Sequence, residues 1–368
     1  MITTALRRLT LHSHWLLWLY LLLITLAELV TSVIDPQLGL IFHALLLLGF
    51  MVHGAISHRS SVGQFALALT LAPLIRMLSV SLPLLSFPQM AWYPIVSIPL
   101  LTAMWLIVRQ IGLPRQALGL NRGNLALELP LACIGIGLGV IEYVILRPQA
   151  SVNSLSWSTL LLPALSLLIF TGFTEEVIFR GLFQTLARPT LGRAAFVYVG
   201  LLFGVLHVGY LSIVDVLFVF AVGLLFAYIV HWSGSILGVT LAHGLTNILL
   251  FLIMPYLELH PSPIIDRFGP WLLWGSVAVS VITVVLLGLR FSKTPAQAHG
   301  AISPATIRAL RRAHGLSYAS LAQRTGIPRR KLAAIEHGLH PLQPEQQQAI
   351  ALVLPLIGAT AVLAESDS

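Results

Sequence analysis

Ionisable and amide side chains interrupt otherwise apolar stretches in the second half of the chain. The first stretch, 158–187, contains Glu175, Glu176 and Arg180. Glu176 and Arg180 are four residues apart with the glutamate N-terminal, which is the favourable order for an ion pair on a helix. This pairing leaves Glu175 on the adjoining face without a cation nearby in the sequence. A carboxylate in that situation is suited to take a proton from water near neutral pH.

Two later stretches supply imidazole and amide groups. His207 follows Phe203 by four residues. Asn247 follows His243 by the same interval, so each pair shares one helix face. Glu175 could activate a water molecule for amide hydrolysis, while the imidazoles and the amide would hold that water and donate to the developing oxyanion. Small residues beside these positions would let the helices approach closely. They are Gly204, Gly209, Gly238, Ala242 and Gly244.

Together the three stretches resemble the CAAX-prenyl-protease and bacteriocin-processing (CPBP, or Abi) intramembrane endopeptidases. The matching motifs are Glu-Glu-x-x-x-Arg, Phe-x-x-x-His and His-x-x-x-Asn, in this order within roughly residues 126–254. The resemblance implies an all-helical bundle whose site lies below the membrane surface. It also implies cleavage of lipidated proteins, leader peptides or other membrane-associated substrates. The implied catalytic residues are Glu175, Glu176, Arg180, His207, His243 and Asn247.

The motifs leave metal dependence open. The His-Glu-x-x-His motif of many zinc proteases does not occur in the sequence. Glu175, His207 and His243 could still supply a zinc site of two histidines and one carboxylate with an open position. Asn247 is a poor zinc ligand and a good oxyanion donor. A Zn²⁺ enzyme and a metal-free glutamate enzyme are therefore both compatible with the sequence.

The composition places these stretches in a membrane. Of 368 residues, 57% are hydrophobic and 9% are charged, compared with about 25% charged in an ordinary soluble domain. Apolar runs of roughly 18 to 25 residues approach the ~20 residues that a helix needs to cross a bilayer. They predict an all-α, polytopic transmembrane bundle of about ten spans. The spans lie near residues 14–34, 39–56, 64–84, 91–108, 126–146, 158–187, 195–209, 213–231, 234–254 and 270–289.

Charge distribution predicts the orientation of the spans and the partners of some buried charges. Lys and Arg cluster on alternate connections, so the positive-inside rule places both termini in the cytoplasm of a multi-pass plasma-membrane protein. Glu28 and Arg76 belong to no motif, and a structural pair across the accessory helices is their simplest interpretation. Glu142 could lie at the membrane interface or approach the site.

The chain is predicted to divide into five parts. They are accessory transmembrane helices (1–125), a protease-like core (126–289), a linker (290–304), a helix-turn-helix domain (305–356) and a tail (357–368). Residues 307–354 resemble the Cro/repressor-type helix-turn-helix family. Ser317 is expected to cap the second helix, Gly326 to form the turn and Pro328 to open the recognition helix. Apolar residues at the spacing of a buried core are Leu310, Leu316, Leu321, Ala322, Ile327, Leu332 and Ile335.

The C-terminal region predicts an anionic partner, because residues 290–368 hold nine Lys and Arg against four Asp and Glu. Arg329, Arg330 and Lys331 begin the expected recognition helix, where side chains reach major-groove edges of DNA. Contacts to bases or backbone are also expected from Tyr318, Gln323 and Arg324. The same cations could instead contact membrane lipid, or the domain could dock a cytoplasmic protein.

Two functions are compatible with this organisation. The first is an intramembrane endopeptidase whose tail regulates transcription or recruits partners. The second is a non-catalytic, membrane-tethered transcription regulator or protein-docking scaffold. A complete set of three motifs favours the first. A transporter is disfavoured because the sequence shows neither inverted repeats nor paired broken helices.

Overall fold

A computed structural model describes residues 2–58, 60–261, 263–292, 304–337, 340 and 342–354. Most of these residues are helical, and no β-strand occurs among them. The chain divides into two compact units: residues 1–110 with 115–296, and residues 297–368 with 111–114. The predicted tail 357–368 and most of the predicted linker 290–304 lie outside the described residues.

The first unit consists of long apolar helices at the predicted places. Helix α1 begins at Ile2 and its apolar span is His14–Ile34. The following helices are α2 (Pro36–Ile56), α3 (Ser61–Ser81), α4 (Gln89–Ile111), α5 (Leu125–Leu146), α6 (Trp157–Leu191), α7 (Ala194–Tyr210), α8 (Ile213–Ser233), α9 (Leu237–Leu259) and α10 (Pro263–Ser292). Over the part of the chain that the structure describes, eight of them are long and apolar enough to cross a membrane, and α7 is shorter. The all-α, multi-pass class is confirmed, whereas the count of ten spans stays a prediction.

Local sequence signals set the ends of these helices. Asp35 caps α2 through a 2.7 Å hydrogen bond from the Leu38 amide, and Pro36 occupies the first helical position. Ser212 caps α8 in the same way, accepting from the Asp215 amide at 3.2 Å. Short polar caps between apolar runs therefore produce a series of hairpins.

Glycines allow the core helices α5, α6 and α9 to pack with their backbones in contact. A methyl group added to Gly135 on α5 would lie 2.0 Å from the carbonyl oxygen of Ala242 on α9. One added to Gly172 on α6 would lie 2.9 Å from the amide nitrogen of Gly244. Both distances are shorter than a carbon atom tolerates. The close approach expected around Ala242 and Gly244 is therefore present, and it depends equally on Gly135 and Gly172.

The accessory helices contain the predicted charge pair. Glu28 Oε2 on α1 lies 2.5 Å from Arg76 Nη2 on α3. His43 on α2 joins this pair, with Nε2 3.6 Å from Glu28 Oε1. The Glu28 and His43 side chains are completely buried, so an ion pair and an imidazole lie together inside an apolar bundle.

The described part of the C-terminal unit forms four short helices: α11 (Pro304–Ala313), α12 (Tyr318–Thr325), α13 (Arg329–Glu336) and α14 (Pro344–Val353). Ser317 caps α12 by accepting from the Ser320 amide at 3.1 Å, and Gly326 ends α12 with φ +71°. Pro328 directly precedes α13. The buried core contains Ile307, Leu310, Leu321, Ile327, Leu332, Ile335, Ile350 and Leu354, with Leu316 and Ala322 packed against it. The predicted helix-turn-helix fold and its core are confirmed.

Candidate active site

Helix α6 carries its two glutamates on a short α-helical segment, Thr174–Glu176, between two π-helical segments. The π-helical segments are Leu168–Phe173 and Val177–Phe183. Such wider turns alter the register of the following side chains and are frequent at functional sites. On this segment Glu176 is completely buried, whereas 30% of the Glu175 side chain remains exposed. The two adjacent glutamates therefore have different environments.

Glu176 forms the ion pair predicted from its spacing to Arg180. The Nη1 group of Arg180 donates to Glu176 Oε1 at 2.9 Å, and both side chains are fully buried. The guanidinium carbon lies 4.3 Å from the ring centroid of Phe203 on α7 and 5.5 Å from that of Phe226 on α8. Aromatic faces attract a cation at such distances. The pair thus joins α6 to the two helices that follow it.

His243 on α9 lies between the two glutamates. Its Nδ1 is 2.8 Å from Glu176 Oε1, and its Nε2 is 3.8 Å from Glu175 Oε2. Because an ionised carboxylate only accepts hydrogen bonds, Nδ1 is the donor to Glu176 and this bond fixes the ring orientation. The other ring nitrogen is consequently directed towards Glu175.

The ring of His207 is oriented by its own helical turn. Its Nδ1 donates to the carbonyl oxygen of Phe203 at 2.8 Å. The ring also contacts those of Phe203 and Tyr210, with centroid separations of 4.9 and 6.0 Å. A neutral imidazole that donates through Nδ1 presents Nε2 as an acceptor. This orientation suits His207 to hold a water molecule rather than to donate to an oxyanion.

Asn247 is anchored through one of its two amide hydrogens. Its Nδ2 donates to the hydroxyl oxygen of Thr171 on α6 at 2.8 Å. That hydroxyl in turn donates to the carbonyl oxygen of Leu167. Since a primary amide carries two hydrogens, one remains for another acceptor. The arrangement leaves Asn247 oriented and able to donate.

One cavity brings the predicted groups together. Glu175, His207, His243 and Asn247 all line it, and its volume of about 70 Å³ is sufficient for several water molecules. Glu176 and Arg180 lie behind the wall rather than on it. Much of the remaining wall is aromatic, comprising Tyr93, Phe203, Tyr210, Phe218, Phe226 and Phe251. A carboxylate, two imidazoles and an amide therefore meet in an apolar enclosure, where electrostatic interactions are stronger than in water.

Further polar side chains line the same cavity, among them Glu142, Tyr93 and Tyr210. Glu142 is an ionisable residue in an apolar span, so two positions were expected for it: the membrane interface or the site. In the structure Glu142 lies at the site. Neither tyrosine was predicted, because a tyrosine near the end of a membrane helix is common and carries no site signal.

The predicted zinc ligands do not form a three-ligand set. Within the described ranges, no group of three His, Cys, Asp or Glu side chains could hold a metal ion. Nδ1 of His243 is bonded to Glu176, so only its Nε2 could bind a metal ion. Zn²⁺ dependence stays a prediction, and the geometry of these donors does not support it.

The C-terminal unit presents part of the predicted DNA-contact set on its surface. Arg329 and Arg330 at the start of α13 are exposed, as are Gln323 and Arg324 on α12, whereas Lys331 is half-buried. Two arginines at the start of a recognition helix are positioned as base-reading side chains are in proteins of this fold.

Tyr318 instead has an internal partner. Its hydroxyl donates to Oε2 of the buried Glu336 at 2.8 Å. Arg311 binds the same carboxylate through Nε and Nη2, at 2.6 and 3.0 Å, and these hydrogen bonds raise the pKa of Arg311. The tyrosine hydroxyl therefore stabilises the domain, and the expected contact of Tyr318 with DNA stays a prediction. Glu336 carries no motif, so its role could not be predicted from the sequence.

Two parts of the chain match known families. Residues 157–249 match the family described as Type II CAAX prenyl endopeptidase Rce1-like, and residues 305–363 match a helix-turn-helix domain. The first match contains all three motifs, and both confirm the resemblances stated from the sequence. No curated protein and no solved structure matches significantly. The first match supports a CAAX-type intramembrane protease, and the apolar helices support a multi-pass membrane protein.

Proposed function

We propose that the chain is an intramembrane endopeptidase that hydrolyses peptide bonds of membrane-associated substrates, either lipidated proteins or leader peptides, with water activated by Glu175. The main support is the convergence of Glu175, His207, His243 and Asn247 on one cavity among membrane-length helices. The family match over the same segment supports the same class of reaction.

The reaction begins with a water molecule held between Glu175 and His207. Nε2 of His207 accepts one hydrogen of this water, and the carboxylate of Glu175 accepts the other. Glu175 removes its proton as the water oxygen attacks the carbonyl carbon of the scissile peptide bond. The new C–O bond gives a tetrahedral intermediate whose negative charge lies on the former carbonyl oxygen.

Asn247 stabilises that oxyanion with the amide hydrogen that Thr171 does not use. The proton held by Glu175 then passes to the leaving nitrogen, and the C–N bond breaks. The products are a carboxylic acid and an amine, and Glu175 returns to its ionised state. Protons and charges balance without another reactant.

Glu176, Arg180 and His243 act by holding this arrangement in place. Arg180 neutralises Glu176, and Glu176 fixes the His243 ring through Nδ1. His243 also lines the cavity, with its Nε2 3.8 Å from Oε2 of Glu175. The proposed reaction routes no step through a metal ion.

Cleavage by the purified full-length protein in lipid nanodiscs tests this proposal. The probe is a set of lipid-anchored peptides, and products are identified by mass spectrometry. Glu175→Gln should abolish cleavage. The matched control is Glu258→Gln, because Glu258 is half-exposed and paired with the exposed Arg147 outside the cavity. Cleavage by Glu175→Gln at the wild-type rate would refute the mechanism and leave a non-catalytic scaffold as the alternative.

We also propose that both termini lie in the cytoplasm of a plasma-membrane protein and that the C-terminal domain binds DNA. The exposed Arg324, Arg329 and Arg330 on two adjacent helices support DNA as the partner. A cytoplasmic position would allow that contact. Binding to a cytoplasmic protein or to anionic lipid is the outcome if no DNA affinity is found.

A further inference from the structure

A buried polar cluster lies outside the cavity, where helices α1, α2 and α3 meet. It consists of Glu28, His43 and Arg76, and we call it the accessory cluster. Glu28 contacts Arg76 at 2.5 Å and His43 at 3.6 Å. None of the described residues of these three helices lines the cavity. A charged cluster is costly to bury in a membrane protein, so its presence calls for a function other than packing.

Arg76 connects this cluster to the site. The same Nη2 group that contacts Glu28 donates to the carbonyl oxygen of Leu206 at 2.9 Å. A methyl group added to Gly209 would lie 3.2 Å from Arg76 Nη1. The guanidinium therefore lies directly against the turn 206–209, and the absence of a side chain at Gly209 gives it room.

At this turn the backbone carbonyl groups of α7 need hydrogen-bond donors. The regular helix ends at Val205, and carbonyl groups at a helix C-terminus lack partners within the helix. Arg76 supplies both a hydrogen bond and a positive charge at this end, where the helix dipole favours a cation. Leu206 directly precedes His207, whose ring is oriented by the Phe203 carbonyl of the same turn.

We propose that Arg76 is a positioning residue for His207 and that Glu28 and His43 hold Arg76 in place. The inference rests on the proposed function. It predicts that catalysis requires the first three helices although they contribute no group to the cavity. Loss of Arg76 frees the Leu206 carbonyl, so the turn moves and the water-binding Nε2 of His207 moves with it. The water is then misplaced relative to Glu175.

Arg76→Met, Arg76→Lys and the control Arg147→Met test the proposal in the full-length protein. Arg147 is a matched control because it forms an exposed ion pair with Glu258. We expect Arg76→Met to lower kcat by up to about 10²-fold with little change in KM, since small misplacements of a reacting group have such effects. Arg76→Lys should recover only part of kcat, because it keeps the positive charge while its ammonium lacks the planar geometry of the guanidinium. Arg147→Met should retain the wild-type values.

A second readout does not depend on cleavage. Diethyl pyrocarbonate modifies accessible imidazoles. Peptide mass spectrometry gives the rate of modification of His207 relative to that of His243. In Arg76→Met this ratio should change several-fold, and in Arg147→Met it should not change. If the wild-type protein cleaves nothing, the proposed function fails, whereas this ratio still decides whether Arg76 positions His207.

Gly209→Ala keeps the proposal testable if Arg76→Met does not fold. The added methyl group crowds Arg76 without removing any charge, whereas Gly49→Ala is its control because nothing lies within 4 Å of a methyl group at that position. Gly209→Ala should change the His207 labelling ratio and lower kcat in the same direction as Arg76→Lys. Equal kcat and equal labelling ratios for Gly209→Ala and Gly49→Ala would overturn the proposal.

Discussion

The Nδ1 of His243 lies 2.8 Å from Oε1 of Glu176, the oxygen that also accepts the hydrogen bond from Arg180. One carboxylate oxygen on α6 thus fixes a cation on its own helix and an imidazole on α9. This shared contact explains why two adjacent glutamates are needed. Glu176 is bound by Arg180 and His243 inside the bundle, whereas the partly exposed Glu175 is available to the cavity.

Glu176→Gln is expected to destabilise the protein. The neutral amide would leave Arg180 buried without a counter-charge, and breaking a buried pair in this way costs about 3–5 kcal/mol. Thermal unfolding in detergent should therefore occur well below the wild-type temperature. Glu175→Gln provides the comparison, because its side chain is partly exposed and the variant should unfold close to the wild type. The same unfolding temperature for both variants would show that Glu176 has no such structural role.

Asn247→Ala should lower kcat by about 10²- to 10³-fold, because an oxyanion donor acts mainly in the transition state. KM should change little. The control is Asn153→Ala, since Asn153 is exposed and does not line the cavity. Steady-state kinetics on a cleaved lipid-anchored peptide provide both constants. A loss expressed only in KM would assign Asn247 to substrate binding instead.

Treatment with a chelator tests the part of the mechanism that concerns metals. The described donors form no three-ligand set, so extended dialysis against EDTA and 1,10-phenanthroline should leave kcat unchanged. Metal analysis of the dialysed protein provides the control for complete removal. Loss of activity that added Zn²⁺ restores would establish the zinc enzyme that the sequence also allowed.

Several side-chain contacts could be predicted because they follow from helical spacing or from the cost of buried charge. The Glu176–Arg180 pair follows from an interval of four residues. The Glu28–Arg76 pair follows from two charges in apolar spans that otherwise lack partners. The convergence of Glu175, His207, His243 and Asn247 follows from three motifs, each in a separate apolar helix. These features depend on side-chain type and periodicity, which a sequence displays.

Other features could not be predicted because they depend on backbone contacts between distant elements. The π-helical segments around Thr174–Glu176 are set by hydrogen-bond register, and no residue type specifies that register. Arg76 binds a main-chain carbonyl at Leu206, which any residue would provide. Tyr318 looked like a surface residue because its partner, Glu336, lies on a different helix of the domain.

DNA binding by the C-terminal domain should depend on the start of α13. The double variant Arg329→Ala and Arg330→Ala is expected to weaken binding to DNA. The slope of the logarithm of the binding constant against the logarithm of salt concentration should also decrease, by nearly one unit for each phosphate that the domain no longer neutralises. The control is Arg312→Ala, which removes an exposed arginine from α11 instead. Fluorescence anisotropy over a range of salt concentrations measures both quantities. A wild-type domain without salt-dependent affinity for DNA would favour docking to a protein.

The comparison of new protein N-termini in membranes tests the central claim most directly. Membranes from cells that express the wild-type chain are compared with membranes that contain equal amounts of Glu175→Gln or of Glu258→Gln. Termini that occur with the wild type and with Glu258→Gln, and that disappear with Glu175→Gln, are the predicted result and would identify the substrates. Identical sets of termini in all three membranes, under several growth conditions, would contradict an endopeptidase that depends on Glu175.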